Sequence, residues 1–420
     1  MAEVYKILGQ VATTDTTEQV LYTSPASTQA IITNITAVNR TSSAQTFDVN
    51  VYNTAKTSGD LGQVSENKFV TIGQGSGSNL TLAATSTDGI TWTARTMPSS
   101  GSWGGPLAFG NNTFVTTKGG TTAATSTDGI TWTERTLPSN SSWVFATYGD
   151  NKFVFISGYG QTAAAISTDG ITWSLGSLPA ANSSWWYSVT YGNATFVAVS
   201  YYTTSPSFGN SSSAASSTDG ITWTARTLPA TNKWSATIFG NNTFVAVGDS
   251  STTAASSTNG ITWTLRTLPT ASRWVALAYG SNTFVAVARY TTTAASSTDG
   301  ITWTTRTMPS SADWYIVTYG NSTFVATSNS GPNSAASSTD GITWTLRTLP
   351  LSGVDYMGLA YGLTSNPYVS PQINNIYKGA TIQANASEIL EPGIVLGAQN
   401  TIVVKGTANT TFSVYGVELS

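Results

Sequence analysis

The chain has 420 residues, a formal net charge of −3, only 9% charged residues, and neither cysteine nor histidine. That balance carries no basic footprint for nucleic acid, and the missing residue types exclude disulfides, thiolate nucleophiles, Ser-His triads and His-bound zinc. The amino terminus MAEVYKILGQ lacks a basic segment followed by an apolar run, and no later stretch approaches the ~18 apolar residues of a membrane span, so neither a secretory leader nor membrane insertion is expected.

In chain order, residues 1–62 contain no repeat but alternate like strands over Ala30 to Val38 and Thr46 to Tyr52. The heptad S-T-[DN]-G-I-T-W then starts at Ser86, Ser126, Ser167, Ser217, Ser257, Ser297 and Ser338, with spacings of 40, 41, 50, 40, 40 and 41 residues. Between copies runs a second phrase, W-x5-G-N-x-T-F-V-A-V, as in Trp234 to Val247 and Trp274 to Val287. The segments are short, rich in Val, Thr, Phe, Tyr and Trp, and punctuated by Gly, Asn and Pro, which predicts strands and not helices. Each unit reads as four strands, approximately W-V-A-L-A-Y, N-T-F-V-A-V, T-A-A-S-S and I-T-W-T-L, the size of a propeller blade.

The first unit lacks the W-x5-G strand and opens at Asn67 to Ile72, while the last leaves a lone inner strand, Tyr356 to Gly362. Pairing that strand with the first unit gives a three-plus-one closure, which removes exposed sheet edges. Beyond residue 366 strands return, at Thr401 to Lys405 and Thr411 to Leu419. The expected fold is all-β: a seven-bladed β-propeller of four-stranded blades over 63–365, inserted into a β-sandwich or jelly-roll-like domain whose halves are 1–62 and 366–420.

The heptad reads as a structural turn. Gly accepts positive φ, and the Asp and Ser oxygens accept turn amide hydrogens, a role assigned to Asp88, Asp128, Asp169, Asp219, Asn259, Asp299 and Asp340. The rings of Trp92, Trp132, Trp173, Trp223, Trp263, Trp303 and Trp344 are expected to cover the turn, each burial contributing roughly 2–3 kcal/mol. Trp103, Trp143, Trp186, Trp234, Trp274 and Trp314 are expected to pack the start of each inner strand. Asp-Gly turns can recruit Ca²⁺, but no EF-hand-like ligand run is present, so no metal and no cofactor are expected.

The arginines at 95, 135, 226, 266, 306 and 347 share one repeated slot, R-T-[LM]-P, and so belong to the blades. Asp249, Asp313 and Asp355 lie outside the heptads, where two of them could form a glycosidase carboxylate pair; a capping or turn role is the stronger expectation for Asp313 and Asp355. The largest departure from the period is the insertion around Tyr201, Tyr202 and Phe208. With Tyr159, Trp185, Lys233, Arg273, Arg289 and Tyr290 from neighbouring loops, it forms a candidate ligand face, since aromatic rings cover sugar C–H patches while polar groups take the hydroxyls.

Two resemblances carry further expectations. The heptad resembles the Asp-box of sialidase-like propellers, S-x-D-x-G-x-T-W, but is one residue shorter; the resemblance implies that the turns lie on the face away from a ligand site. Tyr5 to Gln10, Val20 to Arg40, Ile376 to Gly397 and Thr411 to Ser420 resemble a small β-sandwich module of structural proteins in tailed phages, especially those infecting cyanobacteria. This implies a non-enzymatic virion protein, a fibre or capsid decoration on the particle surface, whose sandwich contacts other virion proteins and whose propeller attaches to host surface glycans; homo-oligomerisation is left open. The alternatives are a tailspike-type glycan hydrolase or lyase and a secreted bacterial lectin or adhesin.

Overall fold

The computed structural model describes residues 6–12, 18–23, 29–39, 45–52, 67–75, 82–180, 184–203, 209–329, 334–351, 354–363, 372–382, 387–390, 394–396, 401–406 and 410–419. The chain forms two compact units, Met1–Glu66 with Ser365–Ser420, and Asn67–Thr364.

The first unit is built jointly by the two ends of the chain. In one antiparallel sheet Lys6–Ala12 pairs with Thr410–Leu419, which pairs with Gln29–Asn39, whose other edge takes Ser387–Leu390 and Ile394–Leu396. In a second sheet Glu18–Thr23, Thr401–Gly406, Gln45–Tyr52 and Gln372–Ile382 follow in that order. Ile35 and Ala37, two residues apart on Gln29–Asn39, are fully buried, as strand alternation requires of one face. Every strand of the carboxyl-terminal half needs a partner from, or shared with, the amino-terminal half, so the segment between them enters this unit as an insertion.

The second unit is a β-propeller of repeated four-stranded antiparallel sheets. Leu107–Gly110, Thr113–Thr117, Gly120–Ser126 and Thr133–Ser141 form one; Trp143–Gly149 to Ser174–Ser177 and Ser184–Gly192 to Thr224–Asn232 form the next two. From Trp234–Gly240 to Thr345–Thr348 the strands run on, because Thr264–Gly280 and Thr304–Gly320 each serve as the outer strand of one sheet and the inner strand of the next. Val354–Leu363 pairs with Asn67–Gly75, adding the last strand of the array to Leu82–Ser86 and Thr93–Arg95. By these pairings the described strands group into repeats, labelled here blade 1 to blade 7 in chain order from the one containing Asn67–Gly75.

Each hydrophobic core lies between two blades. Val245, Val247 and Leu268 of blade 5 pack with Trp274, Phe284 and Trp303 of blade 6. In the same way Val325, Ala335 and Leu349 of blade 7 pack with Phe69, Trp92 and Tyr356 of blade 1. A second contact repeats at the end of every inner strand, where a glycine seats an aromatic ring of the following blade: a Cβ on Gly280 would fall 2.0 Å from Cγ of Tyr319, and one on Gly362 of blade 1 would fall 2.4 Å from Cδ2 of Phe109 in blade 2. A third is a side-chain latch. Nδ2 of Asn111, Asn193, Asn241 and Asn321 donates to the carbonyl of Thr168, Thr258, Thr298 and Thr87 in the following blade, at 3.2–3.3 Å.

The heptad turns hold their own backbone. In each Asp-containing copy the Ser hydroxyl donates to the Asp carboxylate at 2.8–2.9 Å and accepts the Gly amide at 2.7–2.9 Å. The Ile and Thr amides both donate to the same carboxylate at 2.7–2.8 Å. This corrects one expectation: I-T-W does not open the fourth strand, which begins after Trp, as at Thr264. Amides spent on the carboxylate cannot join a ladder. The turn tryptophans lie 6.4–6.5 Å from the Phe that opens each second strand and, Trp173 excepted, are buried. The repeated arginines donate through Nε to a Thr or Ser hydroxyl across the strand pair, as in Arg266 to Ser256 at 2.8 Å, so they are blade residues as expected.

Burial raises the turn carboxyls, but the Thr and Ile amides and the Ser hydroxyl together outweigh it and hold Asp88, Asp128, Asp169, Asp219, Asp299 and Asp340 below the ordinary value. A depressed folded pKa contributes stability above the unfolded value of 3.8, lost as pH falls through the folded value. Asn259 makes the same contacts without charge, its Oδ1 accepting at 2.9 Å from Ile261 and Thr262. Asn259→Asp is therefore expected to stabilise the protein at pH 7 by about 0.5 kcal/mol, a charge-assisted gain discounted for exposure, and to lose that gain below pH 3. Thermal melts at both pH values measure it; an equal gain at both would rule out the charge.

Candidate functional site

Inner strands begin, and second strands end, on the face opposite the heptad turns. The inner-strand aromatics are structural, as expected: Trp103, Trp234, Trp274 and Trp314 are fully buried, and their Nε1 atoms donate to carbonyls four residues back at 2.9–3.2 Å. They fix the start of each strand, so the residue just before them sits at the rim of this face. Around the blades that position is Ser102, Ser142, Trp185, Lys233, Arg273, Asp313 and Asp355.

The second-strand ends complete the face. Tyr159, Ser250 and Tyr290 each lie six residues after the Phe of their blade, with φ of 55°, 56° and 57°. The turn thus imposes a left-handed residue, and two blades place an exposed tyrosine there, Tyr159 at 63% and Tyr290 at 55%. Bulky residues rarely occupy this region, where an L side chain costs roughly 1–2 kcal/mol.

From these positions the side chains form one continuous aromatic and charged assembly. Tyr159 of blade 3 stacks on Trp185 of blade 4 at 4.2 Å between centroids, and Trp185 meets Tyr202 at 5.4 Å. Tyr201 packs edge-on against Tyr202 at 4.5 Å and lies 4.8 Å from Tyr187. Lys233 of blade 5 holds its ammonium 5.2 Å from the Tyr202 ring centre. The Tyr201 hydroxyl donates to the buried carboxylate of Asp249, which also accepts from Ser250 Oγ at 2.9 Å. Arg273 of blade 6 approaches Asp249 at 3.6 Å and lies 5.2 Å from the ring of Tyr290. Arg289 lies over Tyr290 and Tyr315 at 4.9 and 5.1 Å and makes a bidentate pair with the buried Asp313 of blade 7, Nε to Oδ1 at 2.5 Å and Nη2 to Oδ2 at 2.6 Å. Tyr315 and Tyr187 of blade 4 also influence one another electrostatically, which returns the assembly to its start.

The electrostatics keep Tyr201 and Tyr187 as neutral hydroxyls. Burial, then the bond to Asp249, pushes Tyr201 far up; burial, then Tyr315, does the same to Tyr187. Arg289 is held more firmly cationic, first by its hydrogen bonds to Asp313. Burial, then the nearby Asp313 charge, raises the carboxyl of Asp355.

Of the residues singled out from sequence, Tyr159, Trp185, Tyr201, Tyr202, Lys233, Arg273, Arg289 and Tyr290 come together; Phe208 lies outside the described residues. The expected capping role of Asp313 is replaced by the pair with Arg289, because their strands are in register at Arg289 and Asp313. Tyr187 and Tyr315 were not anticipated. Both follow an inner-strand Trp, a signal visible in the sequence only once that position is known to face inward. Among the described residues no cluster of His, Cys, Asp or Glu suits a metal ion.

No protein-family model matches the chain, and no curated protein matches it. Among solved structures, a streptogramin B lyase is similar over 70% of this chain and 92% of its own length, with a TM-score of 0.55 and 13% identity. A virginiamycin B lyase from Staphylococcus aureus is similar over 72% of this chain and 94% of its own, with a TM-score of 0.53 and 13% identity. The same lyase, made catalytically inactive by replacing a histidine with alanine and bound to quinupristin, gives the same values. At this identity the likeness shows the β-propeller fold alone.

Proposed function

We infer that the protein is a non-enzymatic phage virion component, a fibre or capsid decoration, whose propeller attaches to host surface glycans through the face built by Tyr159, Trp185, Tyr202 and Tyr290. The observation that carries the attachment reading is the pair of exposed tyrosines in left-handed conformation. Gly or Asn would occupy those turns at lower cost, and strain retained at an exposed aromatic favours a ligand clamp. Stacking rings flanked by hydroxyls and cations match the two faces of a sugar. On this reading the heptad is a shortened Asp-box that holds the opposite face, and the two-sheet unit docks on other virion proteins. Weak single sites are adequate, because many copies on one particle multiply avidity.

A lyase reading has less support. The lyase of similar fold is inactive without one histidine, and this chain has none. Asp249 and Asp313 are occupied by Tyr201, Ser250 and Arg289. The test uses full-length protein on host cells and a glycan array. Tyr159→Gly and Tyr290→Gly should each lower binding at least tenfold while leaving stability about unchanged: relief of the left-handed cost, ~1–2 kcal/mol, offsets the ring contact that Tyr159 loses with Trp185, ~0.5–1.5 kcal/mol, and the exposed cation–π contacts that Tyr290 loses with Arg273 and Arg289, ~0.5–1 kcal/mol each. Undiminished binding by both variants would move the site elsewhere. Glycan cleavage abolished by Asp355→Asn would replace the attachment reading with an enzymatic one, and absence of the protein from purified particles would favour a secreted lectin.

A further inference from the structure

Resting on that reading, we propose that the face selects anionic glycans, with a carboxylate or sulfate of the sugar held between Lys233 and Arg273 and flanked by the rings of Tyr202 and Tyr290. The argument starts from which charges are already used. Three cations stand on this side of the assembly: Arg289 is spent on both oxygens of Asp313, Arg273 has only a longer ion pair with Asp249 at 3.6 Å, and Lys233 has no ion pair among the described residues. Asp249 takes its hydrogen bonds from Tyr201 and Ser250, so Arg273, at 3.6 Å, lies outside hydrogen-bond reach of it. Among the described residues the Arg273 guanidinium donates no hydrogen bond and the Lys233 ammonium has no carboxylate partner. Lys118 of blade 2 shows the contrast: it also lies over a ring, Trp103, yet pairs with Glu134 at 3.3 Å.

Exposure points the same way. The Arg273 side chain is 46% exposed and Asp249 beneath it 3%, so a ligand meets the cation and not the acid. Lys233 and Arg273 occupy the same rim position on adjacent blades, each immediately before a buried Trp. Each cation lies 5.2 Å from the centre of a tyrosine ring that can stack on a sugar. A planar guanidinium and a point-charge ammonium at the same rim position of adjacent blades both suit a carboxylate or a sulfate; neutral sugars would leave both charges without an anion.

The test is a glycan array carrying neutral, uronate-containing, sialylated and sulfated glycans, probed with full-length wild-type protein, Lys233→Gln, Arg273→Gln and the double variant, with inorganic polyphosphate as competitor. Arg273 touches Asp249 and Tyr290 and Lys233 touches Tyr202, so a single cooperative melt, and not an unchanged midpoint, is the control for folding. The expected result is a bound set confined to acidic glycans, a fall of at least tenfold in each single variant, and weakening between 50 and 300 mM salt; the carboxylated or sulfated spots then identify the anion. Binding of neutral glycans, or full binding by the double variant, overturns this inference and leaves the attachment reading standing. If polyphosphate binds as tightly as the best glycan, the site is a charge trap and the inference fails. Binding to no glycan at all ends both.

Discussion

Gly280→Ala is expected to destabilise the propeller by about 3 kcal/mol or more, from a single methyl group. The added carbon would lie 2.0 Å from Cγ and 2.1 Å from Cδ1 of Tyr319, well inside van der Waals contact. Tyr319 is held against movement, because it packs on Phe324 at 4.7 Å and, half-buried, lies against the core between blades 6 and 7. Overpacking a close-packed interior usually costs 1–3 kcal/mol, and this overlap involves the ring and not a flexible chain end. The φ of Gly280 is not left-handed, so the cost is steric alone. Gly119→Ala is the matched control: its φ is 83° with nothing within 4 Å of the new carbon, so only backbone strain of ~1–2 kcal/mol is expected. Chemical denaturation followed by tryptophan fluorescence compares the two. A Gly280→Ala protein as stable as Gly119→Ala would mean that the ring-in-glycine seat does not hold the blades.

That seat also marks where sequence reading succeeded and where it stopped. The heptad spacing carried the blades, because its Ser and Asp side chains bond within their own turn and owe nothing to distant residues. The Tyr-Gly or Phe-Gly pair recurs just as plainly, as in Tyr279-Gly280 and Phe239-Gly240, but its meaning depends on which blade lies next to which. The latch of Asn321 to Thr87 joins residues far apart in the chain for the same reason. At the candidate site, departures from the repeat pointed to Tyr159, Tyr201, Lys233, Arg273 and Tyr290. The pairing of Arg289 with Asp313 was hidden, since each looks like an isolated irregularity until two strands are set in register. The limits of the I-T-W segment were misread because β propensity cannot tell an amide on a carboxylate from one in a ladder.

Arg289→Leu is expected to destabilise the protein by about 3–5 kcal/mol at pH 7, whereas Arg289→Leu with Asp313→Leu is expected to lie within about 1–2 kcal/mol of wild type. Removing the arginine leaves Asp313 charged and 2% exposed without its bidentate partner, the costly half of breaking a buried pair. Removing both replaces two desolvated charges with apolar volume, which is often neutral. Binding should follow a different pattern. Arg289 donates to the Tyr290 hydroxyl at 2.8 Å and lies over both Tyr290 and Tyr315, so both variants lose its hold on the clamp and both should lose affinity. Stability restored without binding in the double variant would identify the pair as a device that aims Tyr290. A double variant as unstable as the sum of its parts would instead make Arg289 and Asp313 independent contributors to the blade contact, and the clamp would need another source of order.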